Sequence, residues 1–160
     1  MESHQSAVEV VVTVIHHGRK ILLVFNAQWG AFTLPMTKLR QWPYGEYEEL
    51  DKTEDEYDAA MRNAGEVLGK TSTRGPKLLL DNHVVEIQQS DRDSKKKRYA
   101  FRLFAFPVDA PDLAPGVLGE WLDVSEILDN ERRPISKTAR SLICKLNDHA
   151  KSNGIPFPPR

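Results

Sequence analysis

At 160 residues, 40% apolar and 28% charged, the chain has the length for one domain with a packed core, and no apolar run approaches the ~20 residues of a membrane span. A formal net charge of −1 gives no global pull toward nucleic acid or anionic lipid. The single Cys144 excludes an internal disulfide and any multi-cysteine zinc site.

Residues 7–15 (AVEVVVTVI) and 20–25 (KILLVF) are β-rich runs separated by His16-His17-Gly18-Arg19, which predicts a hairpin with both histidines in its turn. Residues 29–35 (WGAFTLP) predict a short extended segment ended by Pro35. Residues 36–52 mix polarities around Pro43, Gly45 and the aromatics Trp42, Tyr44 and Tyr47, and predict a long loop.

Thr53-Glu54-Asp55-Glu56 has the spacing of a capping box, with Thr53 as the cap. Gly69 supplies a left-handed stop. Between them Tyr57, Ala60, Met61, Ala64, Val67 and Leu68 fall within an arc about 120° wide, the face that would pack on a core. Gly65, inside the helix, predicts close approach by another element.

Beyond Pro76, residues 77–80, 83–88 and 99–108 predict strands, and the cations Lys95, Lys96, Lys97 and Arg98 then sit at a hairpin tip. A loop marked by proline and glycine spans 109–119. Residues 120–124 (EWLDV) lead into a short helix over 125–129. Ile135 to Lys151 predicts a second amphipathic helix with Ala139, Leu142, Ile143 and Leu146 on one side, and Cys144 is expected as a small buried residue within it. The domain is expected over 1–150 and a proline-rich tail over 151–160. The start, MESHQSAVEV, lacks the build of a secretion signal, so a cytoplasmic protein is expected.

Charge is placed unevenly. Residues 45–58 hold eight acids against one lysine, and residues 92–98 hold five bases against one acid. The basic run reads as a solvated tip rather than an RNA grip, because no aromatic or glycine-rich nucleic-acid motif accompanies it.

A strand hairpin, a Trp…Leu-Pro segment, a capped helix ending Glu-x-x-Gly, a β pair, a Trp-Leu-Asp-Val-Ser-Glu turn and a closing helix follow one another from about Val8 to about Leu146. This order resembles the Nudix hydrolase family, whose signature is a Gly, five residues, a Glu, seven residues, then Arg-Glu-apolar-x-Glu-Glu-x-Gly-apolar. Glu54 stands seven intervening residues before Arg62, and Ala64, Glu66 and Gly69 also match. Asn63 and Val67 stand where the signature has acids. Met36-Thr37 replaces the glycine pair after Leu-Pro, and an inserted stretch separates it from the helix.

The resemblance implies an α+β architecture, an α/β/α sandwich with a mixed β-sheet flanked by helices. It also implies hydrolysis of nucleoside diphosphate derivatives with Mg2+ or Mn2+. The candidate catalytic residues are then Glu66, Arg62 and Glu54, the metal-binding pair is Glu66 and Asn63, and Lys38, Arg40 and Trp42 are substrate-binding. Magnesium dehydrates reluctantly and needs anionic oxygen in octahedral array. Positions 63, 66 and 67 share one helical flank, and Asn63, Glu66 and Val67 offer one carboxylate between them. The expected function is a Nudix-like domain with a degenerate metal site and weak or no pyrophosphohydrolase activity, acting as a nucleotide-binding or regulatory module. The alternative is a divergent Mg2+-dependent hydrolase in which acids from the 38–52 or 109–120 loops complete the site. No membrane partner is implied, and no protein partner is specified.

Overall fold

The computed structural model describes residues 7–40, 53–69, 75–89, 96–129 and 133–159. In chain order the elements are β1 (Val8–His17), β2 (Lys20–Asn26), β3 (Ala31–Thr33), β4 (Met36–Lys38), α1 (Glu56–Leu68), β5 (Lys77–Leu78), β6 (Val84–Gln89), β7 (Lys96–Pro107), β8 (Gly119–Leu122), α2 (Val124–Asp129) and α3 (Lys137–Ser152).

The valine-rich β1 is central because β-branched residues pack well on both faces of a pleated strand. One edge of β1 runs parallel to β7 from Val8↔Tyr99 to His16↔Pro107. The other edge is shared. Its last two residues pair antiparallel with β2, and Val10, Val11 and Val12 pair with Lys38, Thr37 and Met36 of β4. The sheet order is β3-β2-β1-β7-β5, with β4 on β1, β6 on β7 and β8 on β2.

Alternation along the strands divides the core in two. Val10, Val12 and Val14, with Leu23, Phe101 and Leu103, pack beneath Ile127 of α2 and Leu142, Ile143 and Leu146 of α3. On the other face, Ile15, Leu22 and Phe106 meet Ala64, Val67 and Leu68 of α1, while Val11 and Phe104 meet Ala59 and Ala60. The architecture is therefore the expected α/β/α sandwich around a mixed sheet.

Several local readings change. Met36–Lys38 is a strand rather than the start of a loop, because the β1–β2 hairpin leaves the first half of that β1 edge open. His16 and His17 are the last two residues of β1, and His16 is 3% exposed, so neither is a turn residue. The turn itself is Gly18-Arg19, with Gly18 at φ 59°. The cap of α1 is Asp55, whose carboxylate accepts from the amides of Tyr57 and Asp58; Thr53 is not the cap. Tyr57 is exposed, and Asn63 takes a place on the buried face. Cys144 is exposed, being rotated one residue past Ile143. Lys96, Lys97 and Arg98 lie within β7, so the cations of that run that are described belong to the strand.

After α3 the chain folds back, and Phe157 packs against the α3-side core. Among the described residues no helix is long and apolar enough to cross a membrane.

Candidate functional site

The flank of α1 that faces β4 carries most of the residues singled out by the sequence. Asp55 ends the extended segment before the helix, and Glu54 just ahead of it turns inward to 8% exposure. Two turns along, Arg62 meets it: Nε donates to Oε2 at 3.0 Å and Nη2 to Oε1 at 2.7 Å. A planar guanidinium matched to a carboxylate in this bidentate way is the strong form of the ion pair.

Arg62 is held on every side. Its Nη1 donates to Thr37 Oγ1 at 3.1 Å and to Glu66 Oε1 at 3.3 Å, and its Nη2 also donates to the carbonyl of Lys38 at 3.1 Å. Glu54 in turn fixes the chain leaving β4. The Arg40 amide donates to Glu54 Oε1 at 3.0 Å, and the Glu54 amide donates to the Arg40 carbonyl at 2.7 Å. The Arg62 hydrogen bonds hold the Glu54 carboxyl below the usual glutamate range, helped by the Arg40 amide and opposed by burial. The same pairing raises the Arg62 guanidinium.

Glu66 is exposed, and its Oε1 lies between two arginines, Arg62 at 3.3 Å and Arg40 Nη2 at 3.8 Å. The four charged groups thus alternate in sign along the flank: Glu54, Arg62, Glu66, Arg40. Asn63 and Val67 do not share this exposed position. Both are buried toward the sheet, and Asn63 Oδ1 has no hydrogen-bond partner among the described residues.

The structure therefore brings Glu54, Arg62, Glu66 and Arg40 together and sets Asn63 beneath them. Lys38 joins the group through its carbonyl. Its place opposite Val10 in the ladder puts it on the sheet face that α3 covers. Trp42 lies outside the described residues, as do Tyr44 and Tyr47. Of the acids that were candidates to complete the site, Glu120 is on β8 in an ion pair with Arg133. No group of three or more His, Cys, Asp and Glu side chains suited to a metal ion occurs among the described residues. Glu56 pairs instead with the sheet, through His83 Nε2 at 2.8 Å and Arg102 Nε at 3.2 Å.

Sequence reasoning missed Thr37 and the backbone of Lys38 and Arg40 as parts of this site. The only available signal was their place just after Leu34-Pro35.

The C-terminal end of α1 is closed by Gly69 at φ 73°. Ala114 lies against it, and the Ala114 amide donates to the Val67 carbonyl at 2.8 Å, so the 109–118 segment is anchored to the end of the helix.

Comparison with known proteins gives a result for fold only. No family model and no curated protein matches the sequence. Solved structures do match. The MutT protein from Methanosarcina mazei Go1 superposes with a TM-score of 0.66 at 17% identity, covering 94% of this chain and 99% of that one. The NUDIX domain of Shewanella oneidensis NrtR, solved with ADP ribose, gives 0.60 at 15% identity over 91% of this chain and 89% of that one. The Ap4A hydrolase of C. elegans gives 0.59 at 19% identity over 90% and 98%. With its elements in this order, its capped helix on one face of a mixed sheet and this likeness along nearly the whole chain, the protein has the Nudix fold.

Proposed function

We propose that this chain is a nucleotide-binding or regulatory module with weak or no pyrophosphohydrolase activity, and that its ligands are nucleoside diphosphate derivatives. One observation carries the reading: Glu66, the only carboxylate among positions 63, 66 and 67, is the shared counter-ion of Arg62 and Arg40. A magnesium ion needs several anionic oxygens to offset its lost water. Here a divalent cation would have to displace two guanidiniums and would gain one carboxylate. Asn63 adds a neutral oxygen, and Val67 adds none. The donor set of the described residues does not fit Mg2+ or Mn2+.

The ligand class is supported by the neighbours of the fold, one solved with ADP ribose and one a hydrolase of Ap4A. In this reading Glu54 and Arg62 set the geometry. Arg40 offers an exposed guanidinium, loosely paired, for a phosphate oxygen. Lys38 and Trp42 lie next along the chain. An exposed free thiol at Cys144 suits a reducing compartment, and we assign the protein to the cytoplasm.

The test is calorimetry with ADP-ribose and Ap4A, together with a hydrolysis assay over nucleoside diphosphate derivatives in Mg2+ and in Mn2+. Saturable binding without turnover, and no rise in melting temperature with either metal, is the expected result. Metal-dependent turnover that Glu66→Gln abolishes would instead establish the divergent hydrolase.

A further inference from the structure

β6 lies at an edge of the sheet. One edge pairs with β7 in an unbroken antiparallel ladder from Val84↔Phe101 to Gln89↔Lys96. On the other edge, no backbone hydrogen bond is made among the described residues. Edge strands are ordinarily blunted by proline, a bulge or an outward lysine, because unpaired amides and carbonyls recruit another strand. The run Val84-Val85-Glu86-Ile87-Gln88-Gln89 has none of these.

The two faces of this edge differ. Glu86 lies on the side of α3, accepting from Ser141 Oγ at 3.0 Å and Lys145 Nζ at 3.3 Å. Val85 and Ile87 point the opposite way and are 51% and 65% exposed, although β-branched residues of a sheet are ordinarily covered. The register sets Arg98 beside Ile87 and Lys96 beside Gln89 on that same face. Both cations are exposed, and neither makes an ion pair among the described residues. The acid on this face, Glu9, is on β1, beyond β7. Glu56 is already paired with both His83 and Arg102 at its inner end.

We infer that the outer edge of β6 docks an extended acidic peptide of a partner protein, which joins the sheet as one more strand. Its backbone takes the outer-edge amides and carbonyls of β6. On the α1 side, its apolar side chains cover Val85 and Ile87, and its carboxylates reach Arg98 and Lys96. A second copy of this chain fits less well, because its own β6 brings another Lys96 and Arg98 of the same sign to the joint. The site is separate from the α1 flank and does not depend on the proposed nucleotide reading.

The experiment titrates a fluorescein-labelled peptide of alternating glutamate and valine into the full chain, followed by anisotropy. Run beside it are a lysine–valine peptide of the same length and the glutamate–valine peptide N-methylated at alternate residues. Saturable binding is expected, weakened roughly tenfold or more by N-methylation, by the lysine peptide, by Arg98→Glu and by Ile87→Asp. Both substituted side chains are exposed, and a thermal melt checks that each variant stays folded. Equal binding of the N-methylated or lysine peptide overturns the inference, as does absence of binding. A dimer in sedimentation that Ile87→Asp dissociates, with no peptide bound, overturns it in favour of a second copy.

Discussion

Glu54 and Arg62 are joined by two parallel hydrogen bonds of 3.0 and 2.7 Å, and through them the chain arriving from β4 is locked to the second turn of α1. Because the Arg40 amide shares the same carboxylate, one buried group fixes both the helix and the approach to it. Removing one partner strands a charge in a poorly solvated place. Glu54→Gln or Arg62→Met should therefore cost about 3 kcal/mol of unfolding free energy by urea titration. The double variant should cost less than the two single losses added together. A loss of under about 0.5 kcal/mol for either single variant would show that the pair is solvated and idle.

The same pair sets an acid limit. Glu54 is more acidic folded than unfolded, so the unfolded chain takes up the proton first as pH falls. Its stabilisation is whole above the unfolded value of about 4.3 and disappears as pH drops through the lower folded value. Melting temperature against pH should fall in that window in the parent protein and be flatter there in Glu54→Gln.

His16 acts at milder pH with the same sign. Its ring is buried, which lowers its pKa, and Nε2 has no partner among the described residues. The unfolded chain is therefore protonated first below about pH 6.5, and stability decreases from there downward. His16→Gln should remove this decline below about pH 6.5. An unchanged slope would place the titration elsewhere.

Gly69 is held in the left-handed region and has Ala114 against it, 2.9 Å from where a β-carbon would stand. Gly69→Ala should cost about 2 kcal/mol, the left-handed penalty with the displacement of Ala114 added. Chemical denaturation measures it. A neutral result would mean that the helix end and the 109–118 segment move apart freely.

What could be read in advance depended on whether a residue's role was local. Gly69 was legible because only glycine enters the left-handed region cheaply, whatever the surroundings. Thr53 has the spacing to Glu56 of a capping box, while Asp55 is by residue type an equally good cap. The choice fell to Asp55 once Glu54 was drawn to Arg62. The strand at Met36–Lys38 has no alternation of its own and exists because β1 offers it an edge.

The amino-acid order alone determined the local elements: a valine-rich β-run, two helices with apolar stripes, and a glycine stop. These follow from periodicity and backbone sterics, which act over a few residues. It also determined that positions 63, 66 and 67 hold one carboxylate between them. Only the tertiary structure decided what that carboxylate does, because the partners of Glu66 come from two segments, α1 and the chain after β4. It alone decided, too, that Asn63 is buried and that Val85 and Ile87 are left uncovered. Burial and charge pairing depend on which distant segments meet, and no local pattern encodes that.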